Sequence, residues 1–188
     1  MMSWAIREAT VDEIEQLVAL RRAMFEAMGF DDAATLDRTC AAAYAYFAEH
    51  MPTAAFRVWV AVSSSADADD TGRETGSGET RTCCGRDITL GRPDEGELIA
   101  SIGLVIHSVP PSPHNLVGRV GYIMNLVTLP AHRRKGIAEA LLGHVLGVVR
   151  SEGVLVASLH ATQVGRGIYE RAGFEIDESL PEMRLRFT

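Results

Sequence analysis

The sequence has little lysine, few aromatic residues, few cysteines and no long apolar run. Lys135 is its only lysine, so almost all positive charge is arginine, and the net charge is −7. Tracking a nucleic-acid backbone needs clustered lysine and arginine, and an acidic balance argues against that class of function. No stretch approaches the ~20 apolar residues of a membrane span, and the N-terminus lacks the basic-then-apolar pattern of a secretion signal. A cytoplasmic protein without nucleic-acid or membrane partners is therefore expected. Cys40, Cys83 and Cys84 are odd in number and irregular in spacing, which excludes a secreted disulfide framework. The adjacent pair reads as free thiols in a polar loop. His107, His114, His132 and His144 show no metal-ligand spacing, so no metal is expected.

What is present describes one globular domain. A chain of 188 residues, 47% hydrophobic and 23% charged, fits that class. It can bury about 70% of its unfolded surface without staples. Trp4 to Ala9 alternates as a short strand. Thr10 and Glu13 then form a T-x-x-E capping box, which opens a helix with Ile14, Leu17, Val18, Met24, Phe25 and Met28 on one side and Gly29 at its end. A second helix covers Ala33 to His50, with Pro52 beyond it, and Phe56 to Val62 reads as a strand. From Ser63 to about Gly96 the composition turns to Ser, Asp, Thr, Gly and Arg without periodicity. That segment is predicted to be one long polar loop, dispensable for folding.

Strands resume over Leu98–His107 and Gly118–Leu129, separated by a proline-rich connector. A strongly amphipathic helix follows, with Ile137, Leu141, Val145 and Val149 as its stripe. Val154–His160 reads as a buried strand and Gly165–Ala172 as a short helix. Strands opening at Gly173-Phe174 and over Met183–Phe187 close the order. The class is α/β with a mixed sheet of about seven strands, because antiparallel and parallel pairs are both required.

The chemistry concentrates where the strand ending near Leu129 gives way to the amphipathic helix. Arg133, Gly136 and Ala138 form R-x-x-G-x-A at that junction. A helix start presents unpaired N–H groups and the positive end of the dipole, which suits a pyrophosphate. Gly136 lets a phosphate approach, Ala138 keeps the first turn slim, and Arg133, Arg134 and Lys135 add full charges. The G-x-G-x-x-G spacing of a dinucleotide site is missing. Further on, Tyr169-Glu170-Arg171-Ala172-Gly173-Phe174 follows the buried strand. This ordered pair of motifs resembles the GNAT superfamily of acyl-CoA-dependent N-acetyltransferases, most specifically from Tyr122 to Phe174.

The resemblance implies one domain over residues 1–188 with a polar insertion at about 63–96. It also implies a sheet splayed into an acyl-CoA cleft, with acetyl-CoA as cosubstrate. The pantetheine arm would pair with the backbone of Leu126, Val127 and Thr128, and the pyrophosphate would rest on Arg134, Lys135, Gly136, Ile137 and Ala138. Tyr169 would face the thioester sulfur as general acid. Gln163 stands where many members of the family carry asparagine. The acceptor would be a small-molecule or peptide amine, and a homodimer is compatible with the family. For the base the sequence leaves three readings open: Glu26 on the first helix, His160 at a strand end, or no dedicated base. Two other functions also stay open. One is a catalytically idle acyl-CoA-binding or regulatory domain on the same scaffold; the other is an interaction module working through its polar loop.

Overall fold

The fold is described by a computed structural model covering residues 4–63, 80–83, 86–90, 96–178 and 182–186. Strand β1 (Trp4–Glu8) leads through a 3₁₀ turn (Val11–Glu13) into α1 (Ile14–Ala27), followed by α2 (Ala33–His50). The capping residues are where the sequence puts them. Glu13, almost fully buried, accepts from the Thr10 N–H at 2.9 Å and from two nitrogens of Arg7 at 2.6 and 2.8 Å. Burial pushes its carboxyl upward, but these donors outweigh burial and hold it below its ordinary value. Asp32 caps α2 by accepting from the Thr35 N–H.

The main sheet contains β1, β2 (Arg57–Ser63), β5 (Leu98–Ser108), β6 (Arg119–Thr128) and β7 (Val156–Leu159), in spatial order β1-β2-β5-β6-β7. All neighbours are antiparallel except β6 and β7, which run parallel. That crossover is made by α3 (Ile137–Ser151), and α4 (Arg166–Arg171) follows β7. Every residue from Val58 to Val62 is buried, because both faces of β2 are covered. Val58, Val60 and Val62 pack under α1 and α2 with Leu20, Phe47 and Phe56. Trp59 and Ala61 face the other way, toward Leu141, Val145 and Val149 of α3. No described helix is long and apolar enough to cross a membrane.

Two expectations fail. Within the supposed loop, β3 (Thr80–Cys83) and β4 (Arg86–Thr89) form an antiparallel hairpin. Cys83 is a buried strand residue and Leu90 is fully buried, both packed into the α1/α2 core. The reading missed this because only one side of the hairpin is apolar, and Thr and Arg separate its few core contacts. Cys84 and most of the remaining polar segment lie outside the described residues. The two closing strands are also missing among the described residues, since 174–178 and 182–186 form no regular strand. The sheet seen has five strands, and the hairpin supplies the other two.

A candidate acyl-CoA cleft at a split in the sheet

Strands β6 and β7 pair over only four positions, Val120↔Val156 to Ile123↔Leu159. Beyond Ile123, β6 continues to Thr128 with β5 as its partner on one edge and no described strand on the other. Where the pairing stops, β6 also changes course. Asn125 takes a left-handed conformation with φ +56°, opposite a register shift between Ser101 and Gly103 of β5. Asparagine tolerates that conformation better than a branched residue would. A side-chain amide amid strand residues was the one sequence signal for this bulge. Its effect on side-chain direction is visible in the core: Ile123 and Leu126 pack on the α3 face, Met124 and Val127 on the α1/α2 face. Arg21 of α1 donates to Asn125 Oδ1 and lies over the Phe25 ring.

The R-x-x-G-x-A segment stands at the end of this open edge. After a 3₁₀ turn at Pro130–His132, both Arg134 (φ +63°) and Gly136 (φ +76°) are left-handed, and Gly136 is the N-cap of α3. Left-handed residues alternating with ordinary ones aim successive N–H groups into a common hollow, a shape that holds anions. A Cβ added at Gly136 would meet nothing within 4 Å, so the space above the turn is open. Arg133 Nε donates to the Thr128 carbonyl at 3.1 Å, and Lys135 Nζ to the Ala131 carbonyl at 3.0 Å. Ile137 is buried in the α3 core, which leaves only its backbone to face the turn, while Ala138 is half-buried. Thr128 Oγ1 is buried yet has no hydrogen-bond partner among the described residues, an orphaned group on the strand end that leads to the turn.

On the β7 side, α4 is tied to the first turn of α3 by Arg171, whose Nε donates to Glu139 at 2.8 Å. This brings the Y-E-R-A-G-F segment and the R-x-x-G-x-A segment to one end of the sheet. Tyr169 packs its ring on the α3 side of the core and meets Phe174 edge-on at 6.1 Å. Among the described residues its hydroxyl has no hydrogen-bond partner. Burial pushes its phenol above the usual value, so it stays protonated at neutral pH. Gln163 is exposed in the turn between β7 and α4.

The two base candidates differ. Each oxygen of Glu26 is engaged, one by Arg22 Nε at 2.9 Å and the other by Arg81 Nη1 of the hairpin at 3.3 Å. This fastens the hairpin to α1. His160 lies immediately past the last β6–β7 pair, with Nδ1 2.6 Å from the Tyr122 hydroxyl and Nε2 in contact with Glu182. The sequence reading gave neither Tyr122 nor Glu182 a role in the chemistry. Their partner is 38 and 22 residues away, and no local pattern marks such a contact.

Comparison with known proteins agrees with this architecture. The family described as "Acetyltransferase (GNAT) domain" matches residues 5–176. No curated protein matches the chain in sequence. Among solved structures, a GCN5-related N-acetyltransferase from Ralstonia eutropha JMP134 aligns with a TM-score of 0.71 at 24% identity, covering 97% of this chain and 99% of that one. A predicted acetyltransferase from Clostridium acetobutylicum, solved with acetyl-CoA, aligns with a TM-score of 0.70 at 21% identity, covering 97% and 96%. A ribosomal-protein-alanine N-acetyltransferase from Brucella melitensis biovar Abortus 2308 aligns with a TM-score of 0.58 at 16% identity, covering 99% and 100%. At these identities the structures show a shared fold. With the family's own domain matched over nearly the whole length, the protein belongs to the GNAT family of acetyltransferases.

Proposed function

We propose that the protein transfers an acetyl group from acetyl-CoA to a primary amine by direct attack of the amine on the thioester carbon. The observation that carries this is the open edge of β6 between Ile123 and Thr128, with an anion-shaped turn at one end and an unpartnered phenol on the adjoining helix. The residues present fit an acyl-CoA. Thr128 Oγ1 is buried and unsatisfied, the edge of Leu126 to Thr128 lacks a strand neighbour on the β7 side, and nothing fills the space over Gly136. Arg133, Arg134 and Lys135 supply positive charge beside the α3 N-terminus, where Gly136, Ile137 and Ala138 offer backbone donors. Gln163 offers a side-chain amide from the facing turn.

The acetyl thioester supplies the electrophilic carbon and the leaving thiolate. Negative charge develops on its carbonyl oxygen, and the donor assigned to hold it is an N–H of the open edge, from Leu126 or Thr128, because Val127 is in register with Ser101 and its N–H turns to β5. Tyr169 gives its proton to the thiolate. The reference values, about 10 for phenol and about 8.5 for thiol, make that transfer uphill in water. Desolvation that keeps Tyr169 neutral also disfavours a bare thiolate beside it, so the donor stays loaded and the acceptor becomes more basic. Glu26, held by two guanidinium groups, anchors the hairpin to α1.

The test is release of free CoA from acetyl-CoA in the presence of amino acids, spermidine, an aminoglycoside and peptides with free N-termini. Transfer to at least one amine is expected. Heat stabilisation by acetyl-CoA without transfer to any of them would instead establish an idle acyl-CoA-binding domain.

A further inference from the structure

At the vertex of the split, Tyr122, His160, Glu182 and Arg184 form one continuous array. The Tyr122 hydroxyl is 2.6 Å from His160 Nδ1, His160 Nε2 contacts Glu182 Oε2, and Arg184 donates to Glu182 at 2.6 and 2.9 Å. The proton positions follow from chemistry. Glu182 is drawn down to about 2 by Arg184 and His160, so it is a carboxylate and can only accept. The hydrogen of neutral His160 therefore sits on Nε2, and Nδ1 must accept from Tyr122. This leaves the oxygen of Tyr122 with lone pairs free to receive a proton from outside. Among the described residues no other titratable group joins the array: β7 itself contributes none, β6 contributes Tyr122, and the C-terminal segment contributes Glu182 and Arg184.

The array also stands on a definite side. Ile123 packs on the α3 face, and regular alternation puts Tyr122 with Met124 on the opposite face, under α1 and α2. Tyr169 belongs to the α3 face. The two tyrosines thus approach the split from opposite sides of the sheet.

Resting on the acetyl-transfer reading above, we infer that Tyr122 and His160 form the proton relay that deprotonates the acceptor ammonium. The ammonium gives a proton to Tyr122 Oη as the Tyr122 hydroxyl proton passes to His160 Nδ1. A neutral amine and an imidazolium result, and the total charge is unchanged. Glu182 positions the ring and stabilises the imidazolium, with Arg184 holding Glu182 in place. His160, half exposed, then returns its proton to solvent. The amine loses its proton on the α1/α2 side, while the sulfur gains one from Tyr169 on the α3 side.

The experiment is the pH profile of kcat/KM from pH 5 to 10, with acetyl-CoA and whichever panel amine is acetylated. An alkylammonium near 10.4 is only about one part in a thousand neutral at pH 7.4, so the relay matters most near neutrality. The wild type should reach a plateau above the histidine range. In His160→Gln and in Tyr122→Phe that plateau should vanish. Their rates should be down ~10²–10³-fold near pH 7.4 and recover about tenfold per pH unit towards pH 10, where the free amine no longer needs a base. Glu182→Gln should lower the plateau without removing it, because the ring loses its positioning carboxylate while Nδ1 can still accept from Tyr122. Melting temperature and acetyl-CoA affinity report folding, and Tyr122→Phe alone suffices if His160→Gln is unfolded. Plateaus retained in both folded variants would overturn the relay and leave acetyl transfer standing. Transfer by the wild type to no amine at all would overturn both.

Discussion

Strand β6 is treated differently along its two edges. Toward β5 it is paired from Ser108↔Arg119 to Ala100↔Thr128, almost its whole length, with one bulge. Toward β7 the pairing lasts four residues and then stops. The paired edge joins the two packing layers and holds the fold together. The unpaired edge leaves backbone groups beside the α3 turn, where the proposal above seats the cosubstrate. Stability and chemistry are therefore separable on one strand, and substitutions on either side of it should change one observable without the other.

The largest effect is expected on the open side. Tyr169→Phe removes one hydroxyl and leaves the packing against Phe174 in place. Turnover should fall ~10²–10⁴-fold, about 3–5 kcal/mol of barrier, with little change in melting temperature or acetyl-CoA affinity. Turnover kept within a factor of about two would reduce Tyr169 to a packing residue. Next comes Gly136→Val. The new side chain would project into the open space over the turn, at a φ of +76° that valine resists by roughly 1–2 kcal/mol. A saturating ligand at a thousand times its Kd stabilises a fold by about 4 kcal/mol, and most of that gain should disappear from the thermal-shift measurement. Unchanged affinity would sink the phosphate-turn assignment.

On the paired side the sign pattern reverses. A Cβ at Gly103 would lie 2.7 Å from the Phe56 ring, which is buried and stacked on Phe47. Gly103→Ala should cost about 1–3 kcal/mol, roughly 2–4 °C per kcal/mol, with acetyl-CoA affinity preserved. A variant that also lost acetyl-CoA binding would mean that the two edges are coupled. The smallest effect serves as a control. Replacing residues 64–79 with a short Gly/Ser linker should shift stability by less than ~1 kcal/mol, since loop-closure entropy varies slowly with length. Extending the replacement through residue 90 removes buried Leu90 and Cys83 and should cost about 2–3 kcal/mol more, read from the same melts.

The readable parts of this fold are those where one short pattern dictates one local structure. Thr10 and Glu13 marked the helix entry. The apolar stripe of α3 marked its buried face, and Arg133, Gly136 and Ala138 marked a turn that does take the left-handed shape. What escaped depends on contacts between distant segments. The β3–β4 hairpin is stable because α1 covers Cys83, Ile88 and Leu90, whereas its own sequence looks like linker. The Tyr122–His160–Glu182 array exists because β6 and β7 lie side by side and the chain returns past them. Tyr122 faces its histidine only through a parallel register that no local periodicity encodes. Asn125 belongs with the second group: an asparagine within a strand is an available signal, but only the pairing with β5 shows the bulge and which side chains it redirects.

The four-pair ladder between β6 and β7 also governs how the molecule opens. Among the described residues after α3, the hold on the sheet comes from those pairs, the Arg171–Glu139 contact, buried Val154 and partly buried side chains such as Leu159, Ile168 and Phe174. Such a unit opens at a lower free energy than the strands inside the core. In amide hydrogen exchange β7 and α4 should therefore lose protection well before β2 and β5. A ligand spanning both sides of the split would close that gap, so β7 and α4 should gain most of their slow-exchanging character from the cosubstrate rather than from their own ladder.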